Sequence, residues 1–353
     1  MATTMTTILP AHCMSSQLPD IEFSTSAAKL IVALYDTTNN TRFLQVTLTA
    51  VSGMVTLTEV REAVEQRMAD SDQQRLALQV QWRENDTDSW SSTPVRVHYC
   101  DLNFDGDADT WMLTHFLTTQ SWKPMPLDGR TEMLHLYHPT AGEQVTFAMQ
   151  AMCRLADGTV TPITLSQSSS IVATDDVIGY TWTLQDVEAQ VEQQIEEAAD
   201  ILAISVMAGQ RTMNYYRTLQ PDMVLRFRNC FNVDEWAAIN CATRRKVKDD
   251  RDTAMVGRRA VRYGRGRAVE YETETAPLMM AHALWLDQAL TSPKTWLADG
   301  TPIVITDSDI SVTDDRAALN TVKFTWRRAD GRAHIVVEQS DRIFTEEFTR
   351  QFN

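Results

Sequence analysis

The sequence predicts a mainly β fold: antiparallel β-sandwich-like domains with a few inserted helices. Three observations carry this. Short runs with apolar residues at every second position recur along the 353-residue chain, as in Leu76, Leu78, Val80 and Trp82 or Val322, Phe324 and Trp326. Turn formers such as Asp36-Thr-Thr-Asn-Asn40, Ala156-Asp-Gly158 and Asp330-Gly331 separate them. Helical spacing occurs in only three or four places, too irregularly for repeating βαβ units.

In order, residues 1–19 read as an N-terminal arm. They are rich in Thr, Ser and Met and, apart from His12, carry no acidic or basic side chain. Leu30–Tyr35 and Phe43–Leu48 form the first predicted hairpin. Thr58 is a suitable N-cap for a helix over about 59–69, with Val60, Val64 and Met68 on its apolar stripe. Strands at 75–82 and 95–99, a short helix at about 110–118, and strands near 133–137 and 144–149 complete a first domain, 20–152.

A second β-rich domain is expected over 153–345, followed by a tail at 346–353. It begins with a strand at 159–165. Val187, Val191 and Ile195 then mark an amphipathic helix over 184–199. Strands follow at 201–207, 212–216 and 223–227. After a basic segment, 268–274 reads as a strand with an acidic face. The nearly apolar stretch 277–290 predicts a buried helix capped by Thr275, and strands at 302–306, 322–326 and 334–338 close the domain.

The formal net charge is −15, which disfavours loose binding to nucleic acid or anionic membrane. No window of 18 apolar residues is present, so no membrane-spanning helix is predicted, and the start lacks the pattern of a secretory signal. The five cysteines are widely spread and suggest no metal knuckle or redox pair; buried free thiols are expected.

Against the acidic background stands one basic island. Residues 244–267 hold ten Lys/Arg and three Asp. Its candidate contact residues are Arg244, Arg245, Lys246, Arg258, Arg259, Arg262, Arg265 and Arg267. Arginine can pair bidentately with carboxylate or phosphate, and Tyr263 could stack on a base. The alternatives are plain solvated surface, or a hairpin docking into an acidic face of a neighbouring subunit. Glu270, Glu272 and Glu274 supply an acidic strand of the kind such docking requires.

The segment Asp101-Leu-Asn-Phe-Asp-Gly-Asp-Ala-Asp109 matches several positions of a calcium loop, but Met112 stands where the terminal bidentate acid belongs. The simpler reading is an Asx-rich loop, with Asp109 or Thr110 capping the next helix. His98 and Cys100 could share a strand face, but a zinc site would need two further ligands. Metalloprotease, nucleophile-elbow and phosphate-loop motifs are absent, so no catalytic residue and no cofactor is assigned.

Three ordered sets of words carry a resemblance. The first is Val55-Thr-Leu-Thr-Glu-Val-Arg61, Val97-His-Tyr-Cys100 and Phe116-Leu-Thr-Thr119. The second is Met213-Asn-Tyr-Tyr216 with Leu225-Arg-Phe-Arg-Asn-Cys-Phe-Asn232. The third is Tyr271-Glu-Thr-Glu-Thr-Ala-Pro-Leu278, Trp285, Leu290-Thr-Ser-Pro293, Ile303-Val-Ile-Thr306 and Leu319-Asn-Thr-Val-Lys-Phe-Thr-Trp326. In these the chain resembles poorly characterised structural proteins of Bacteroidales phages and prophages. The resemblance implies a virion or tail-associated subunit, of a baseplate for example. Its partners would be other copies or other virion proteins, and it would be assembled in the host cytoplasm. The competing expectation is a ligand- or carbohydrate-binding module, with Trp82, Trp90, Trp111 and Trp122 as its aromatic supply. An enzyme is the least favoured class.

Overall fold

The computed structural model describes residues 3–138, 143–165, 168–171, 176–195, 199–250, 253–256, 258–262, 266–310 and 319–329. Over these residues the fold is mainly β, with several sheets and four inserted α-helices. The helices are α1 (Val60–Asp70), α2 (Ala108–Thr114), α3 (Leu184–Ile195) and α4 (Met280–Thr291). None is long and apolar enough to cross a membrane.

The first core lies between a five-stranded and a three-stranded sheet. The larger runs His12–Met14, Ser91–His98, Arg75–Arg83, Lys29–Asp36, Thr41–Thr49; the smaller joins Thr4–Met5, Ile21–Ser24 and Met54–Leu57. Leu76, Leu78, Val80 and Trp82 all point inward, as their alternation predicts, and Val60, Val64 and Met68 of α1 cover the same core.

The N-terminal segment is not a free arm. His12–Met14 pairs in parallel with Arg96–His98, and Cys13, Met14, Ser15 and Leu18 are buried. The predicted caps also shift. Glu59, not Thr58, precedes α1, at φ 59° and without a side-chain cap. Asp107 caps α2, accepting from the Thr110 N–H at 3.0 Å. The Thr275 hydroxyl accepts from the Val322 N–H at 3.0 Å instead of capping α4.

The second core brings together a six-stranded and a two-stranded sheet, covered by Val187 and Val191 of α3. The long strand Gln144–Arg154 runs straight through the expected junction near 150 and pairs with Asp200–Ala208. The parallel edge Trp122–Pro124 closes the larger sheet against Asn214–Tyr216.

The third core is a seven-stranded antiparallel sheet under α4. Its order is Asp234–Ile239, Met223–Arg228, Thr295–Leu297, Pro302–Ile310, Val322–Arg328, Gly266–Thr275, Cys241–Asp250. Ala283, Trp285, Leu286, Ala289 and Leu290 of α4 are buried, whereas Leu284 is 49% exposed, so the helix is buried on one face only. A fourth cluster, including Met14, Met112, Tyr137 and Phe231, joins the three cores. The expected strand 334–338, the Asp330-Gly331 hairpin and the tail 346–353 lie outside the described residues.

Candidate functional site

The basic island folds as an extended ribbon. Cys241–Asp250 pairs residue by residue with Gly266–Thr275, and a small hairpin, Thr253–Val256 with Arg259–Arg262, lies between them in sequence. Cys241–Asp250 is the last strand of its sheet among the described residues. Its outer backbone edge therefore meets no other described strand, and charged side chains protect such an edge from unwanted pairing. Arg244, Arg245, Lys246 and Val247 are exposed, as are Arg258 and Arg259. The Arg262 and Arg267 backbones lie in the strands Arg259–Arg262 and Gly266–Thr275, while Arg265 lies outside the described residues.

The acidic strand is the basic strand's own neighbour. Arg244 is in register with Glu272 and Lys246 with Glu270, and Lys246 forms an ion pair with Glu272. On the far side Lys323 pairs with Glu274 at 3.3 Å. Cross-strand pairs of this kind steady the ribbon. They also take up acid that the sequence offered as a docking face for another subunit.

A second site is an open groove of about 780 Å³ between the Trp122–Pro124 edge and the start of α4. No Asp, Glu, Lys or Arg lines it. Trp122 is 50% and Met279 62% exposed. Inside, the Tyr216 hydroxyl and His282 Nε2 are 3.3 Å apart, and burial lowers the His282 imidazole below its ordinary value. Of the other candidate aromatics, Trp82 is core, while Trp90 lies under the guanidinium groups of Arg42 and Arg83.

The third arrangement is buried and was not legible in the sequence. Lys123 Nζ lies 2.7 Å from Glu235 Oε1 and 3.8 Å from Glu132 Oε1. Glu235 also accepts from Thr118 Oγ1 at 2.6 Å, Asn229 Nδ2 at 2.7 Å and Trp285 Nε1 at 3.2 Å. Burial pushes the Glu132 carboxyl up, against the pull of Lys123 and Arg130. Ion pairs this dry depend on such surrounding hydrogen bonds to offset desolvation.

The Asx-rich loop is held by the protein itself. Asn103 Oδ1 accepts from Arg61 at 3.1 Å, the Gly106 carbonyl from Gln17 at 2.8 Å, and Asp107 is spent on the cap. Met112 is core. The Cys100 thiol donates to the Leu102 carbonyl at 3.3 Å. Burial pushes the Cys13 thiol up to about 12 and that of Cys100 up to about 11, well away from the reactive thiolate form.

No protein-family model matches the chain, and no curated protein matches it. Among solved structures, trypsin-activated alpha-2-macroglobulin from Escherichia coli aligns at 7% identity and a TM-score of 0.21. The alignment covers 91% of this chain and 23% of that one, and a likeness so slight carries no argument.

Proposed function

We propose that the protein is a structural subunit of a phage tail, baseplate or virion-like particle, acting through protein–protein assembly. The observation that carries this reading is the basic edge strand Cys241–Asp250. A long strand with no second neighbour among the described residues, and with Arg244, Arg245 and Lys246 exposed on a chain of net charge −15, suits oriented docking onto an acidic partner surface. Lys246 is already paired with Glu272, so the contact falls chiefly to Arg244, Arg245, Arg258 and Arg259, with Arg262, Arg265 and Arg267 as further candidates in the same basic segment. The sequence resemblance to virion-associated proteins supports the same class of role, with no cofactor and no catalytic residue assigned.

The test changes Arg244, Arg245, Arg258 and Arg259 together to serine. Wild type and variant are each mixed with the co-encoded structural proteins and followed by sedimentation and electron microscopy. Wild type is expected to enter particles and the variant to remain free. Equal incorporation of both would remove the ribbon as the contact.

The groove favours a second reading, a module that binds an uncharged ligand or a carbohydrate. Half-exposed Trp122 offers a flat apolar face beside Gln120, Ser121 and Asn240. Titration with an oligosaccharide series, read by intrinsic fluorescence, is then expected to give a saturable signal that Trp122→Ala abolishes. A flat response across the series would exclude carbohydrate.

A further inference from the structure

We propose that Lys123 and Asn229 are the partners of an autocatalytic intramolecular isopeptide bond, with Glu235 as the group that drives its formation. The three residues are 2%, 4% and 2% exposed, respectively. They line one residual cavity of about 10 Å³, too small to admit a substrate. Any chemistry at this site is therefore between the protein's own groups.

The arrangement supplies a nucleophile, a leaving group, a carboxylate shared by both and two donors for the developing oxyanion. The nucleophile is the Lys123 amine, held at 2.7 Å on Glu235 Oε1. The leaving group is the Asn229 amide nitrogen, held at 2.7 Å on Glu235 Oε2. A single carboxylate thus bridges the attacking and the departing nitrogen, the position of a general base that becomes a general acid. The Asn229 carbonyl is polarised in advance: Oδ1 accepts from the backbone N–H groups of Phe231 at 2.9 Å and Val233 at 3.3 Å. Those two donors would hold the negative charge that develops on Oδ1 when Cγ becomes tetrahedral. Trp285 and Thr118 fix the Glu235 carboxylate, and exclusion of water removes the competing hydrolysis.

The step balances without an oxidant or a second reactant. The Lys123 ammonium gives up two protons through Glu235, and the freed lone pair on Nζ attacks Cγ of Asn229. The Nζ–Cγ bond forms, the Cγ–Nδ2 bond breaks, and the nitrogen departs as ammonium carrying both protons. Glu235 ends as the carboxylate it was at the start. The product ties the Trp122–Pro124 strand to the turn between Met223–Arg228 and Asp234–Ile239, and so joins the second core to the third. Arg130, with Nε 3.5 Å from Glu132 Oε2, remains as the partner of that second carboxylate.

The test is the intact mass of the denatured full-length protein. Loss of one ammonia lowers it by about 17 Da relative to the sequence, as a completed acyl transfer requires. Wild type is expected at the lower mass, and Glu235→Gln and Lys123→Arg at the full sequence mass. Fragmentation of a protease digest is expected to yield one branched peptide joining Lys123 to Asn229. Cleavage after Lys123 is no substitute readout, because Pro124 follows it. Wild type at the full sequence mass would overturn the proposal, and so would an ammonia loss mapped to any other residue, such as a cyclised asparagine.

Discussion

His98 meets Tyr137 edge-on, with ring centroids 4.2 Å apart and planes at 65°, at the point where the first sheet touches the second core. Burial, then the nearby positive charge of His12, Arg75 and Arg96, pushes the His98 imidazole down to about 3. The ring is therefore neutral in the fold, whereas in the unfolded chain it takes up a proton below about pH 6.5. The unfolded state binds the extra proton, so stability falls as pH falls, by about 1.4 kcal/mol per pH unit until the folded value is reached. His135, pushed down to about 4, acts in the same direction. Urea titrations across this range are expected to show the slope, and His98→Leu to make it shallower. An unchanged slope in that variant would contradict the assignment.

Asp36 governs a lower window. It is fully buried; burial itself works against ionisation, but hydrogen bonds from Asn39 and Arg67 outweigh it and hold the carboxyl below its usual range. Its contribution is present above about pH 4 and is lost as the pH falls through the lower folded value. Asp36→Asn is expected to reduce stability near neutrality and to remove that part of the acid dependence. The comparison is read by urea titration of both proteins at neutral and acidic pH.

Arg211 is a structural cation rather than a ligand-binding one. Its Nη2 donates to the carbonyls of Met112 at 2.6 Å and Tyr137 at 2.7 Å, and its Nε to that of His115 at 3.1 Å. It thereby satisfies carbonyls at the end of α2, where a positive charge is also favoured by the helix dipole. Arg211→Met is expected to cost about 3–5 kcal/mol by leaving buried carbonyls unpaired. A loss below about 1 kcal/mol in chemical denaturation would show that water replaces the guanidinium there.

Removal of residues 1–18 tests the packed N-terminal segment. The deletion strips Cys13, Met14 and Leu18 from their cores and uncovers the Ser91–His98 edge. The loss is expected at roughly 4–6 kcal/mol from apolar burial alone. A truncated protein as stable as wild type would mean that the segment merely lies on the surface.

What the sequence disclosed follows from how far apart the interacting residues are. Strands such as Arg75–Arg83 were legible because alternate residues face one core, and Leu76 through Trp82 keep that period. The N-terminal segment was misleading because its buried Cys13, Met14 and Leu18 follow no strand or helix period, and part of what holds it is polar: the Ser15 hydroxyl donates to the Cys100 carbonyl at 3.0 Å and accepts from the Cys100 N–H at 2.9 Å. Nothing in the sequence singles out Lys123, Glu132 or Glu235, since only the tertiary fold brings Lys123 and Glu235 together. The basic island was visible as composition, but its pairing with Glu270 and Glu272 required the strand register.

The most direct test of the assembly reading is whether the native chain travels with a particle. Particles are purified by density gradient from cells producing the complete set of co-encoded structural proteins, and each fraction is quantified by mass spectrometry. This chain is expected in fixed stoichiometry with the other structural proteins across the particle peak. A chain found only in the particle-free fractions would contradict it.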